Sequence, residues 1–464
     1  LFAPFLDQAP KDGSIHLVAV NDGRLMEWIE QVEMRQGELP LTRALTAALA
    51  QEAQDVAPHI RLVELNNRSL VGGLDLERRS ISTHFVDELI RLLVGGEQAA
   101  QIWAPCRTCS AQSRCSMKRS ADMMGASADP DVLAEGARLR ERLTEALQTV
   151  HQRNEIHITA RELKAAISYV LFGLYDCEDL HRNAELDPHD PADHAFNPES
   201  EGRQGELLRE LARLDPALEG HARVDRYLVG KGAPDAAHGA RRFRDAVGRP
   251  LPLRDARRRA YLSWSSDQVE AVGGDNHALT LRDGRRASEF RTFPLVSEDE
   301  RLRIKLRLCR GLSRLEALPD LAYRNPERVP IRVIPRTPTE TAFWIEKLAS
   351  RFSLAAERFK SVAGLETLHR FLVLRYEPDH GESEELIVPL ELYSLLMDLE
   401  DGVQILDAFS DDVFANLGVF TSRLAQEDER RLNAWNPVES DIVREIGVVD
   451  VRGRQTITLS NGAA

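Results

Sequence analysis

Ile15-His16-Leu17-Val18-Ala19-Val20-Asn21-Asp22-Gly23-Arg24 is the stretch on which the fold assignment turns. Its apolar half reads as a buried strand, and Asn-Asp-Gly is a turn signal. Leu25, Trp28, Ile29 and Val32 then recur at helical spacing. Pro40 closes the next link, and Leu41 to Ala53 reads as a second helix rich in Ala and Leu. Ile60-Arg61-Leu62-Val63-Glu64-Leu65 reads as a second strand, ending at Asn66-Asn67-Arg68. Strand, helix, helix, strand predicts an α/β unit with a parallel sheet.

Working outward, the pattern turns helical over 84–94, 131–151, 159–172 and 204–214. Thr159 with Glu162 three residues on is a capping box. Residues 183–203, rich in Asp, Pro, His and Gly, read as a loop. The last part changes character. A helix is expected over 298–318, strands near 329–335, 341–347, 369–376 and 385–388, helices near 389–399 and 411–425, and strands over 445–451 and 455–459. The expected fold class is therefore α/β, followed by an all-α region and an α+β C-terminal domain. The expected parts are 1–80 (α/β core), 81–228 (helical region), 229–271 (arginine-rich linker or arm) and 272–464 (C-terminal domain).

At 464 residues the chain is long enough for two to four units at about 100–200 residues each. No apolar run approaches the ~18–20 residues of a membrane span. The start, Leu1-Phe2-Ala3-Pro4-Phe5, lacks Met and a signal-peptide pattern, so it reads as the middle of a longer protein. Five cysteines are too few for a secreted disulfide framework, which makes cytoplasm the expected compartment. The net charge of −14 argues against a surface coated for nucleic acid, without excluding a local basic patch.

Three of the cysteines fall in Cys106-x2-Cys109-x5-Cys115. C-x2-C lets two thiolates reach one ion from a tight turn. Arg107, Arg114, Lys118 and Arg119 would favour the thiolate form. A fourth ligand is needed. Cys177 is the first candidate and His181 the next, with His151 and His157 as further options. Four cysteines would admit zinc or a four-iron cluster, and three cysteines plus a histidine would favour zinc. The alternative is three incidental reduced thiols.

Arg241, Arg242, Arg244, Arg249, Arg254, Arg257, Arg258 and Arg259 precede Tyr261 and Trp264. A basic run with aromatics could track a nucleic-acid backbone and stack bases, giving a DNA contact over 241–264. A solvated or subunit-bridging arm fits the same composition. G-x-x-x-x-G-K-[ST], H-E-x-x-H, G-x-S-x-G and G-x-G-x-x-G do not occur in the sequence.

Read in order, Asn21-Asp22-Gly23-Arg24, Leu65-Asn66-Asn67-Arg68-Ser69, the cysteine knuckle and Ile158-Thr159-Ala160-Arg161-Glu162-Leu163 form a series. It resembles the region after the Walker B strand in large bacterial P-loop ATPases of the AAA+/STAND type. These occur in phage-defence and restriction loci, and the ATPase component of phosphorothioation-dependent restriction is similar. The resemblance covers roughly residues 15–225. It implies an oligomer working with other proteins of the same system and using ATP and Mg2+. Asn21 would be the sensor facing the γ-phosphate, Arg68 or Arg43 an arginine finger, Arg161 or Arg226 a lid arginine, and the cysteines a zinc-type insert. Both Walker motifs would precede Leu1, so residues 1–464 alone should not hydrolyse ATP. The rival readings are a zinc-containing scaffold or adaptor and a nucleic-acid-binding factor.

Overall fold

The computed structural model describes residues 15, 17–49, 63, 65–95, 97–183, 190–197, 205–229, 243–244, 249–275, 277–315, 317–333, 341–357, 365–379, 381–403, 411–426, 431–451 and 454–461. The chain divides into two compact units, Leu1–Asn67 and Arg68–Ala464. It is a mixed α/β protein, and every strand pair among the described residues is antiparallel.

The first unit holds helices α1 (Asp22–Gln36) and α2 (Pro40–Leu49). Leu25 and Ile29, four apart on α1, bury against Leu41 and Leu45 on α2. The strand expected over 15–20 is not formed by its described residues, and Ile15 and Leu17 are 97% and 98% exposed. A parallel strand needs paired neighbours and covered faces, and none of the described residues supplies them. Of the second expected strand, residues 60–62 and 64 lie outside the described residues, and Leu65–Asn67 is a 3-10 turn.

The second unit opens with a hairpin, β1 (Gly73–Asp75) and β2 (Ser80–Ser82). Helices α3 (His84–Val94), α4 (Glu97–Trp103), α5 (Ser116–Ala121), α6 (Pro130–Arg153), α7 (Ala160–Phe172), α8 (Cys177–Arg182), α9 (Pro191–Ala195), α10 (Glu206–Arg213) and α11 (Ala222–Val229) follow. Val86, Ile90 and Val94 give α3 one apolar face, which joins Leu139, Leu143, Leu147 and Val150 of α6 in a common core. The capping box of α7 is present in both directions. Glu162 N–H donates to Thr159 Oγ1 at 3.2 Å, and Thr159 N–H donates to Glu162 Oε2 at 3.0 Å. The expected loop 183–203 contains α9 within its described part.

Helix α12 (Leu253–Ser263) corrects the linker-or-arm expectation. Its Arg257, Arg258 and Tyr261 are at most 3% exposed, as is the following Trp264. Arg257 pairs with Asp225, Arg258 with Asp215, and Arg259 with Asp193. Planar guanidinium groups fill forked carboxylate and carbonyl pockets that no apolar residue could satisfy. These side chains and both aromatics are therefore turned into the fold, whereas Arg249 and Arg254 of the same run are exposed. Arg241 and Arg242 lie outside the described residues.

After α13 (Ser266–Ala271), α14 (Gly284–Thr292) and α15 (Glu298–Leu315) come β3 (Arg328–Arg332), β4 (Ala342–Leu348), β5 (Phe352–Ala356), β6 (Phe371–Tyr376) and β7 (Glu384–Pro389). Helices α16 (Leu390–Glu400) and α17 (Asp411–Gln426) and strands β8 (Arg431–Trp435), β9 (Val443–Val451) and β10 (Arg454–Asn461) complete the described part. One sheet has the order β10-β9-β8-β4-β3 and the other β5-β6-β7. A second core, drawn from residues 287–424, lies between these sheets and α14–α17.

His369, 0% exposed, belongs to the seam between α14 and β6. Its Nε2–H donates to the Phe290 carbonyl at 2.9 Å, and its Nδ1 has no partner among the described residues. Burial, reinforced by His151 and Arg291, pulls its pKa down to about 4. A folded pKa below the unfolded value gives stability that is fully present above about 6.5 and lost as pH falls toward about 4. The expected loss across that window is about 3 kcal/mol. Urea titrations at stepped pH should show this slope, and His369→Gln should flatten it. An unchanged slope in the variant would remove His369 as its source.

Candidate metal centre

The cysteine knuckle is built from two tight turns. Ala104–Thr108 is a 3-10 turn carrying Cys106, and Cys109 N–H closes it on the Cys106 carbonyl at 3.3 Å. Gln112–Arg114 is a second turn, closed by Cys115 N–H on the Gln112 carbonyl at 3.3 Å. Cys115 then caps α5, its Sγ accepting from the Lys118 backbone N–H at 3.4 Å. The spacing C-x2-C-x5-C is thus the spacing of two successive single-turn reversals.

The second half of the site comes from α8. Asp176 and Asp179 form a capping box that fixes where the helix starts, so Cys177 is its first residue. His181 lies one turn on, and residues four apart share a helix face. Leu180, buried between them, anchors that face. Arg114 reaches across from the knuckle and donates to the carbonyls of Leu180 and Asn183, tying the two halves together.

Cys106, Cys109, Cys115, Cys177 and His181 consequently line one cavity, with Lys118 on its wall. The cavity has about 20 Å³ of space for a water-sized sphere, room for a single ion or water and little more. Cys109 Sγ stands 3.4 Å from His181 Nε2. All four thiols are reduced, with Cys177 exposed and the other three half-buried. Burial, then the charges of Cys115, Cys177 and Cys109, push the Cys106 thiol up. Burial, then Cys115 and Cys109, do the same to Cys177. Mutual repulsion of this kind is what a bound cation removes, releasing the thiol protons.

Among the described residues, no group of three or more His, Cys, Asp or Glu side chains is arranged as a ready-made metal site. The donors share a cavity without forming a closed coordination sphere. Their chemistry nonetheless fits zinc, whose structural sites take four cysteines, or three cysteines and a histidine, from turns like these.

The chain matches no family model, curated protein or solved structure.

The other expected site residues are dispersed. Asn21 is exposed and caps α1, its Oδ1 accepting from Arg24 N–H at 2.8 Å. Arg43 is exposed and paired with Glu38 at 2.6 Å. Arg68 is half-buried, with its guanidinium 4.9 Å from the centre of the Phe85 ring. Arg161 is exposed in the first turn of α7, and Arg226 is exposed on α11. Of the further ligand candidates, His151 is directed to the Leu368 carbonyl at 3.2 Å, and His157 is exposed and outside the cavity lining. The Arg114 clamp between knuckle and helix went unread in the sequence, because its partners are backbone carbonyls with no sequence signature.

Proposed function

We propose that the Cys106–Cys109–Cys115–Cys177 set is a structural zinc site and that the chain is a metal-stapled coupling module of a larger assembly. The convergence of four thiols on one small cavity carries this reading. Three come from a ten-residue knuckle and the fourth from α8, so the ion would pin two segments distant in sequence. Once these donors closed around an ion, the site would supply folding energy and leave no open position for substrate. Purified protein should carry about one zinc per chain by elemental analysis. Cys106→Ser should lose it and lower the unfolding midpoint by several degrees, as chelator should for the unaltered protein. Metal-free protein of unchanged midpoint would overturn the reading.

The resemblance to bacterial defence ATPases of the AAA+ type gives the assembly a second, finer reading, with ATP and Mg2+ as its ligands. One observation favours it. Ile15, Leu17 and Val20 of the apolar stretch ending at Asn21 are exposed, and apolar side chains left uncovered in this way call for a partner surface. In that reading Asn21 senses the γ-phosphate, Arg161 acts from the lid, and nucleotide binding drives assembly in an oligomer. Joined to a P-loop segment, the protein should hydrolyse ATP, and Asn21→Ala should reduce kcat about 10- to 100-fold with its zinc content unchanged. Equal turnover in the variant would remove Asn21 from any sensor role.

A further inference from the structure

We propose that β10 is a self-pairing edge, through which a second copy of this chain extends the five-stranded sheet across a two-fold axis. β10 ends the order β10-β9-β8-β4-β3, so β9 pairs one side of it and the other side has no strand partner among the described residues. The face beside that open side is apolar. Ile457 and Leu459 are 73% and 60% exposed, and they share a face with Val448 and Ile446, their register partners on β9. Val448 is 40% exposed and Ile446 is half-buried. Ile446 in turn lies opposite Leu432 of β8, which packs against the second core. The apolar face thus starts at the core and runs out to an uncovered strand. Contiguous apolar surface of this kind marks an interface.

The composition of β10 selects the occupant. Exposed edges are normally blunted by Pro, Lys or other charges. The opposite end of the sheet obeys that rule, since β3 carries Arg328, Pro330 and Arg332. β7, an outer strand of the other sheet, carries Glu384, Glu385 and Pro389. β10 has neither proline nor charge from Gln455 to Asn461. That neutrality matters most for pairing with itself. Across a two-fold axis the strand meets its own sequence, so any charge near the axis faces its own copy. Antiparallel pairing centred on Thr458 sets Ile457 opposite Leu459 of the second copy, twice, and Thr456 opposite Ser460, twice. Apolar pairs then meet on one face and hydroxyls on the other, in keeping with the alternation Thr456-Ile457-Thr458-Leu459-Ser460. Such pairing is closed. It consumes both open edges, and the joined sheet ends on either side at β3, whose Pro330 has no N–H to give a further strand. A foreign strand recognised by charge would need charges that β10 does not offer.

Sedimentation velocity of the purified protein over a range of concentrations tests the pairing. A strand-edge contact at the small end of specific interfaces predicts a monomer–dimer equilibrium with a dissociation constant of about 1–100 μM. Ile457→Lys and Leu459→Glu, each alone, should weaken dimerisation at least about 10-fold. Both side chains are exposed in the single chain, so the urea midpoint of each variant at low concentration should match the parent. The two variants mixed in equal amounts should dimerise again. The introduced lysine of one copy then faces the introduced glutamate of the other, and the second pair remains Ile457 with Leu459. A monomer at every concentration would overturn the proposal and leave the edge to a foreign strand. A dimer untouched by either substitution would place the interface elsewhere. A mixture that stays monomeric would overturn the pairing of β10 with itself.

Discussion

Asp215→Ala should destabilise the second unit by about 3–5 kcal/mol, the range for removing one partner of a buried ion pair. Asp215 is 0% exposed and Arg258 is 3% exposed. Arg258 grips the carboxylate with both arms of its fork, Nε to Oδ1 at 3.0 Å and Nη2 to Oδ2 at 2.6 Å. Arg254 adds a third bond to Oδ2 at 3.1 Å, and Ala217 N–H a fourth to Oδ1 at 3.0 Å. Alanine would leave the Arg258 guanidinium buried, holding the Phe196 carbonyl at 3.0 Å and a longer contact to Asp255 at 3.6 Å. The cost comes from the stranded charge more than from the lost attraction. Replacing both partners, Asp215→Leu with Arg258→Met, should therefore recover most of the loss. Urea denaturation of the two variants against the parent decides the matter. A single variant losing under about 1 kcal/mol would mean that water reaches the site and that the pair is a surface one.

The same cluster explains where sequence reading failed. Periodicity is counted in apolar residues, and a helix whose buried face presents Arg257 and Arg258 looks solvated by that count. The acidic partners, Asp215, Asp225 and Asp193, are 43, 32 and 66 residues from their arginines and become visible only through tertiary contact. Where the buried face is apolar the reading succeeded. Helix α3 occupies the expected 84–94, and α7 begins at the Thr159–Glu162 box. The expected strands from 329 onward correspond to β3, β4, β6, β7, β9 and β10. β5 escaped because Phe352-Ser353-Leu354-Ala355-Ala356 carries little bulk for a strand, and β8 because Arg431 and Asn433 interrupt it. The N-terminal α/β reading rested on apolar runs and turn signals, which record a need for partners without saying where they are. At the metal centre the knuckle was legible from spacing, whereas the company of Cys177 depends on α8 packing beside it.

Gly311→Ala presents the opposite contest, between helix propensity and a backbone contact. Alanine is about 1 kcal/mol better than glycine inside a helix, and α15 runs unbroken through Gly311. Propensity alone therefore predicts a gain. A Cβ at this position, however, would stand 1.9 Å from the Leu396 carbonyl oxygen and 2.6 Å from its carbon. Those atoms belong to the backbone of α16 and have no rotamer to escape into. The two helices would have to part, opening the contacts of Leu308, Leu312, Leu392 and Leu396 in the second core. Ion pairs across the same seam would stretch with them, among them Arg310 to Glu400 at 2.6 Å and Arg307 to Asp401 at 2.8 Å. Overpacking of this kind costs about 1–3 kcal/mol, occasionally more, and a rigid obstacle places Gly311→Ala at the upper end after the propensity gain is subtracted. Gly418 on α17 supplies the control, since a Cβ there meets nothing within 4 Å. Gly418→Ala should be stabilising by up to about 1 kcal/mol. Chemical denaturation of the two variants should move the midpoint in opposite directions. Two shifts of the same favourable sign would show that α15 and α16 lie farther apart than this contact requires.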